Sequence, residues 1–296
     1  MTQLATGTAA RGLPEPDSRR MVAFVFQGGG SLSAPQVGML RALAEAGIVP
    51  DFVIGTSAGA LNAVAYASNP TAAGLRRLEN LWLTLRRRHV AGISARTLVR
   101  AIAGRGDGLL DAAPLGQLVR TDIVAPTLDR TAIRSHVVAT ELLSGEPVVM
   151  STGDTASALL ASAAFPGIYA PVWRGGQRLV DGGVSADIPV LQAEALGATE
   201  SFVLPAAGSD DKGAPVRGPL AMAYHALGQI LESTARRDSL AAQGEVHLLP
   251  PATSAATNPL DFRETDRLIR DGYELAVDWL ATHTANAGGS NEAVYA

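Results

Sequence analysis

The chain is expected to adopt an α/β fold with a mainly parallel central sheet flanked by helices. Three observations point there. Short apolar runs alternate with helical segments along nearly the whole sequence, those runs are continuously apolar rather than alternating, and glycine-rich corners fall where strand gives way to helix. A strand buried on both faces needs apolar side chains on both, and parallel neighbours need a crossover between them, right-handed in nearly all cases.

The elements follow in order. MVAFVF (21–26) is a strand followed, after Gln27, by GGG. SAPQVGMLRALAEAG (33–47) places Val37, Leu40, Leu43 and Ala44 at helical spacing and stops at Gly47. DFVIG (51–55) is a second strand, and AGALNAVAYA after Ser57 is a helix. TAAGLRRLENLWLTLRRR (71–88) is amphipathic, with Leu75, Leu78, Trp82 and Leu85 on one face. Residues 89–110 read as irregular and arginine-rich. SHVVAT (135–140) and PVVMS (147–151) are strands joined by a turn at Ser144–Gly145, and TASALLASAAF (155–165) is a helix stopped by Pro166. YAPVWRGGQRLVDGG (169–183) is a hairpin turning at Gly175–Gly176. ESFVLPA (200–206) is a strand, 207–219 a polar loop, 220–243 helical and EVHLL (245–249) a late strand. A closing helix over 261–283 aligns Leu268, Tyr273, Ala276 and Leu280. Residues 1–20 and 284–296 read as flexible tails around one domain, 21–283, in which 71–110 is a candidate basic cap.

Composition narrows the function. The chain has 296 residues, 47% hydrophobic and 18% charged, enough for a sizeable core. A formal charge of −4 argues against a general nucleic-acid binder. Zero cysteines exclude disulfides, thiolate nucleophiles and cysteine-ligated metals. The histidines (His89, His136, His225, His247 and His283) show no metal-ligand spacing, so no metal and no cofactor is expected. The N-terminal stretch lacks the apolar segment of a secretory signal, and no window approaches a membrane span, so the expectation is a cytoplasmic protein.

Three short segments carry chemistry. In QGGGSLSAPQVG (27–38), Gly28, Gly29 and Gly30 lie between a strand and a helix, where backbone N–H groups suit an anion or a developing oxyanion. A dinucleotide fingerprint fails at Ser33, and no Gly-Lys-Ser/Thr follows for a Walker A loop. GTSAG (55–59) has the strand before and the helix after that a nucleophile elbow requires. Gly55 and Gly59 spare the sharp turn a clash, and Ala58 supplies an oxyanion-directed N–H. Both loops fall at the carboxyl ends of neighbouring parallel strands, where open α/β sheets bind ligands. A serine still needs a base. In RLVDGGVSADIPV (178–190), Asp181 ends an apolar strand, and Gly182 and Gly183 leave its carboxylate uncovered. Partial burial would raise it from the ordinary value of about 3.9 and strengthen it as a base.

GGG at 28–30, GTSAG at 55–59 and DGG at 181–183, with ASAAFPGIYAPV (161–172) before the last, resemble the patatin-like phospholipase family, from about residue 22 to 205. The resemblance implies a patatin-like three-layer sandwich and a metal-free Ser–Asp dyad that hydrolyses acyl esters of lipids. Carried over by position, Ser57 is the nucleophile and Asp181 the general base; Gly28, Gly29, Gly30 and Ala58 line the oxyanion hole. The family's glycine loop usually continues with arginine and glycine, where this chain has Leu32 and Ser33, and Pro35 replaces a common aromatic residue. Asp187 stands where asparagine is often found.

Two other readings stay open. One is an α/β-hydrolase triad completed by a late histidine, His225 or His247. The other is a degenerate member that binds acyl chains or a partner protein, motivated by Leu32 and Ser33. The stretch from Arg76 to Arg105 holds eight arginines against the single acid Glu79. It is a candidate for peripheral contact with anionic headgroups, or simply a solvated face.

Overall fold

A computed structural model describes residues 20–288 apart from 93–96, 98, 100–102, 104–105, 124, 210–218 and 255–257. The expected N-terminal tail up to residue 19, the core of the polar loop at 207–219, and Arg96, Arg100 and Arg105 of the basic stretch lie outside the described residues.

Eight described strands form one sheet in the order β5-β6-β3-β2-β1-β7-β9, with β4 also paired to β3. β1 (Val22–Phe26), β2 (Phe52–Thr56), β3 (Arg134–Glu141), β7 (Glu200–Leu204) and β9 (Glu245–Leu248) are mutually parallel. β4 (Pro147–Met150), β5 (Val172–Arg174) and β6 (Gln177–Asp181) add antiparallel pairings at one end. β8 (Gly208–Ser209) and β10 (Thr253–Ser254) form a separate parallel pair.

Strand alternation splits the interior into two cores and makes the molecule three layers deep. Phe24, Phe26 and Val53 face α1 (Pro35–Glu45), α2 (Ser57–Ser68), α3 (Ala72–Thr84) and the closing helix α10 (Thr265–Gly288). Ala23, Val25, Phe52 and Ile54 face the other way, against Ala186 of α7 (Gly183–Ala186), Val190 and Ala193 of α8 (Val190–Ala195) and Ala235 of α9 (Pro219–Ala241). Each fully buried Phe, Ile or Leu contributes about 1.5–3 kcal/mol to this sandwich.

α1 and α10 meet backbone to backbone. A Cβ on Gly38 would run into the Ile269 carbonyl, and one on Gly272 into the Pro35 carbonyl, so both positions need glycine. The contact is tightened at its outer end by Tyr273, whose hydroxyl donates to Glu45 at 2.7 Å under the Arg41 guanidinium.

Several elements differ from the sequence reading. α4 (Arg87–Val90) is a single turn within the basic stretch, where Arg86, Arg87 and Arg88 are exposed. α5 (Ala113–Asp122) falls in a segment to which no element was assigned; Pro114 at its start pre-sets the helical φ. α7 and α8 follow Asp181 in a stretch to which no element was assigned. α10 continues to Gly288, five residues into the expected tail, because 284–287 contain neither proline nor glycine. No helix among the described residues is long and apolar enough to cross a membrane.

Candidate active site

The site is set by how three strands share β3. β4 occupies one edge of β3 over Val137–Thr140. On the other edge β2 pairs from Arg134 and ends with Thr56 opposite Val138. β6 then takes over, with Asp181 opposite Ala139. Two strands arriving from opposite directions therefore abut on one edge, and the last residue of β6 meets the first residue after β2.

At that junction Ser57 Oγ donates to Asp181 Oδ2 at 2.7 Å. Ser57 has φ 53°, the sole positive φ outside glycine among the described residues. A non-glycine residue held there costs on the order of 1–3 kcal/mol, and such strain clusters at functional sites. The corner is fixed on both sides. A Cβ on Gly59 would strike the Gln27 carbonyl, so the helix can press against β1 only with glycine there; Gly55 in turn lies against the Gly59 backbone. Ser162 at the end of α6 (Thr155–Ser162) accepts from the Ser57 N–H at 2.8 Å and donates to the Val138 carbonyl at 2.6 Å. Thr56 Oγ1 donates to the Ala186 carbonyl at 2.7 Å, tying the elbow to α7.

Asp181 is 4% exposed. Its Oδ1 accepts from the Gly183 N–H at 2.8 Å, and its own carbonyl accepts from Thr140 Oγ1 at 2.9 Å. Burial pushes its carboxyl up to about 7 against the pull of the Ser57 and Gly183 donors, and the neighbouring Asp187 charge pushes the same way. Gly182 packs against the Val138 carbonyl and the Thr56 methyl group, leaving no room for a side chain behind the Asp181 carboxyl group.

The glycine loop lies beside Ser57. Gly30 has φ 59° and is braced from outside, since the Ser31 N–H donates to the Pro259 carbonyl at 2.7 Å. Gly28 is the exception within the expected oxyanion set: its N–H already donates to the Asp187 carbonyl at 3.2 Å, so it shapes the loop without offering a free donor. The N–H groups of Gly29, Gly30 and Ala58 have no acceptor among the described residues, and that of Ala58 lies in the first turn of α2, where no intrahelical acceptor exists. Leu32 and Ser33 occupy the short 3-10 turn that follows, where Leu32 packs partly against the core and its carbonyl accepts from Ala207 at 2.8 Å.

Several supporting residues were not visible in the sequence. Gln36, fully buried, donates to the carbonyls of Gln27 and Leu204. Asn62 donates to Gln36 Oε1 and to the Ser33 carbonyl, and accepts from Trp82 Nε1 at 2.7 Å. These amides hold the loop from beneath. Ser162 is a further case. Tertiary contacts alone reveal them, from Gln36 to Leu204 and from Ser162 to Ser57 among others, so no local motif marks them.

No described histidine side chain joins Ser57 or Asp181. The His247 ring on β9 contacts Glu200 Oε1 at 3.0 Å and Phe202, three strands away from β2. His136 contacts Ser151 Oγ at 2.7 Å, and burial lowers its imidazole to about 4. The side chain of His225 lies outside the described ones. Glu200, Glu245 and His247 converge closely enough to suggest a cation site, but the Arg20 guanidinium already pairs with Glu200.

Comparison with known proteins places these features in context. A family model described as patatin-like phospholipase matches residues 24–194. An uncharacterized NTE family protein of Mycobacterium tuberculosis is 28% identical over 194 residues, covering 64% of this chain and 50% of the relative. A second one from the same species is 27% identical over 176 residues and is covered over only 27% of its length. The chain thus spans half or less of these curated relatives. A protein named lysophospholipase in Aspergillus terreus is 27% identical over 204 residues, which is 65% of this chain and 12% of that protein. Among solved structures, VipD from Legionella pneumophila aligns with a TM-score of 0.47 at 14% identity, covering 89% of this chain and 67% of that one.

Proposed function

The chain belongs to the patatin-like phospholipase family, and from that membership we propose that it is a serine acyl hydrolase acting on lipid esters, phospholipids or lysophospholipids through a Ser57–Asp181 dyad. The observation that carries the proposal is the 2.7 Å hydrogen bond from Ser57 Oγ to a buried carboxyl group. In the proposed reaction the substrate carbonyl lies over the elbow with its oxygen toward the N–H groups of Gly29, Gly30 and Ala58. Ser57 Oγ attacks the carbonyl carbon as its proton passes to Asp181. The oxyanion draws on donors that are already in place, each typically contributing about 2.7–4 kcal/mol. Asp181 returns the proton to the leaving alcohol, then takes one from water, whose oxygen attacks the acyl-enzyme; that proton passes to Ser57 Oγ as the fatty acid is released.

The base fits its task. A carboxyl group raised to about 7 by burial is a far stronger proton acceptor than a solvated aspartate, while half or more of it ionises at and above neutral pH. A histidine triad finds no support in the described rings, because the carboxylate reaches the serine directly. The exposed arginines between Arg76 and Arg88 are proposed to offer peripheral contact with anionic headgroups.

The test uses a p-nitrophenyl acyl ester series and lysophospholipids with the wild type, Ser57→Ala and Asp181→Asn. Both variants should lose at least about 10³-fold in kcat while keeping the wild-type circular dichroism spectrum. A fluorophosphonate probe should label wild-type Ser57 alone. Substantial activity in either folded variant defeats the dyad, and an unlabelled Ser57 favours a non-catalytic binding protein.

A further inference from the structure

Asp187 is a second carboxyl group in the same recess, one that the proposed reaction does not use. It follows α7 immediately, and its carboxyl group is enclosed although the residue as a whole keeps some exposed surface. Two glycine positions locate it. The point where a Gly28 Cβ would sit is 2.7 Å from Asp187 Oδ1 and 3.5 Å from Ser57 Cβ. The corresponding point on Gly183 is 3.1 Å from Asp181 Oδ1 and 3.3 Å from Asp187 Oδ1. Asp187 is thus separated from the nucleophile by one bare α-carbon and from the base by another.

Its other oxygen is held firmly. Gln27 Nε2 donates to Asp187 Oδ2 at 2.8 Å, and the amide cannot turn over freely because its Oε1 accepts from the Ala206 N–H at 2.9 Å. A fixed donor on one oxygen favours the ionised carboxylate. Asp187 Oδ1, the oxygen that faces Asp181, has no donor among the described residues.

The charged surroundings are sparse. Of the groups on β6 and α7, only Asp181 faces Asp187. The glycine loop and the elbow carry no ionisable group other than the Ser57 hydroxyl. α9, packed on α7, carries Arg236, Arg237 and Asp238, none of which pairs with either carboxyl group among the described contacts. It also carries His225 and Glu232, whose side chains lie outside the described ones. No described cation therefore screens one carboxylate from the other.

We propose that Asp187 is a positioning residue for the proton: its negative charge holds the proton on Asp181 and so sets the pH above which Ser57 becomes nucleophilic. The proposal rests on reading Asp181 as the base. Two carboxyl groups this close, with no counter-ion among the described side chains, cannot both ionise as easily as either alone, and their protons leave in two steps that belong to the pair. Burial raises both, Asp187 to about 6 and Asp181 to about 7, with the Asp187 charge among the causes for the latter. An asparagine at 187 would keep the shape and an oxygen for Gln27 while removing the charge.

The experiment measures the rate of Ser57 labelling by a fluorophosphonate from about pH 5 to about pH 9 in the full chain, wild type against Asp187→Asn. The inflection should move down by about half to one pH unit, so that the variant reacts about 3- to 10-fold faster on the acid side. An unmoved inflection in folded Asp187→Asn overturns the proposal. Carbon-13 NMR of carboxyl-labelled aspartate in the wild type gives a reading independent of any variant. Two mutually perturbed titrations, at Asp181 and Asp187, support the coupling; an Asp181 that titrates without response to Asp187 overturns it. Failure of the dyad would show differently, as full labelling of Ser57 in Asp181→Asn, while the NMR result would still judge the coupling.

Discussion

Ser57 and Asp181, 124 residues apart in the chain, meet at 2.7 Å because Thr56 closes its pairing opposite Val138 and Asp181 opens its own opposite Ala139. The two side chains are aligned by consecutive steps of one ladder, so their separation is fixed by backbone hydrogen bonds rather than by flexible loops.

Activity should rise with pH through about 7, the value to which burial pushes Asp181, because only its ionised form can accept the Ser57 proton. The acid limb of kcat/KM against pH, taken with a soluble p-nitrophenyl ester, checks this. A limb near pH 4 would mean that the base is a solvated carboxylate and not Asp181.

Stability should respond to the same group in the opposite direction. Asp181 and Asp187 have folded-state pKa values of about 7 and about 6, above the unfolded value of 3.8, so the folded chain retains protons that the unfolded chain loses. Their contribution therefore declines as pH climbs from about 4 to about 7. His136, lowered to about 4, opposes them in the same window, since its neutral folded form gains stability as pH rises. The difference between Asp181→Asn and wild type isolates the carboxyl group. The Tm advantage of the variant should grow from about pH 4 to about pH 7, which thermal melts at several pH values would reveal.

Replacing His136 or His247 by alanine should leave kcat within a few fold of wild type, since neither ring touches the dyad. His247→Ala should instead lower Tm by removing one of the partners of Glu200 and baring Phe202 and Trp279, against which the ring packs. Loss of kcat by orders of magnitude at His247 would reinstate a triad.

Ser162→Ala should reduce kcat about tenfold with KM little changed, because the Ser57 N–H and the Val138 carbonyl lose the hydroxyl that sets the angle of the elbow. Stability should fall by about 1–3 kcal/mol, the usual cost of leaving buried polar groups unpaired. Denaturant melts and steady-state kinetics separate the two effects.

Gly59→Ala should destabilise by about 1–3 kcal/mol or more, since the new methyl group enters the Gln27 carbonyl. Gly116→Ala on α5 offers the contrast. Its Cβ would meet the Leu160 methyl at 3.4 Å and the end of the Arg120 side chain at 4.0 Å, so helix propensity should gain about 0.5–1 kcal/mol. Urea midpoints of the two variants test the opposite signs.

Local chemistry made much of this legible. Continuous apolar runs located β1 and β2, the Phe-Val-Leu run of 202–204 located β7, and the glycines around Ser57 marked a corner in the sequence itself. The β5–β6 hairpin followed from Gly175–Gly176. Hidden from sequence was everything decided by long-range pairing. That β6 would inherit the edge of β3 vacated by β2 depends on register, and register depends on partners that no single segment specifies. Asp187 was visible as an oddity but not interpretable, because its meaning lies in Gln27 and Gly28 more than 150 residues earlier. α8 was missed since Ile188-Pro189 reads as a break, yet Pro189 caps a short helix instead of ending structure.

The close crossing of α1 and α10 at Gly38 and Gly272 bears on where the molecule can be cut. The stretch matched by the family model ends at residue 194, well before Pro259 and α10. A truncated polypeptide stopping near residue 205 would retain Ser57 and Asp181. It would also bare the Phe24 and Leu40 side of the sandwich and remove the Pro259 brace from the Gly30 turn. Such a fragment should be recovered as insoluble or inert material, and expression boundaries drawn from the matched motifs alone would mistake a missing scaffold for missing chemistry.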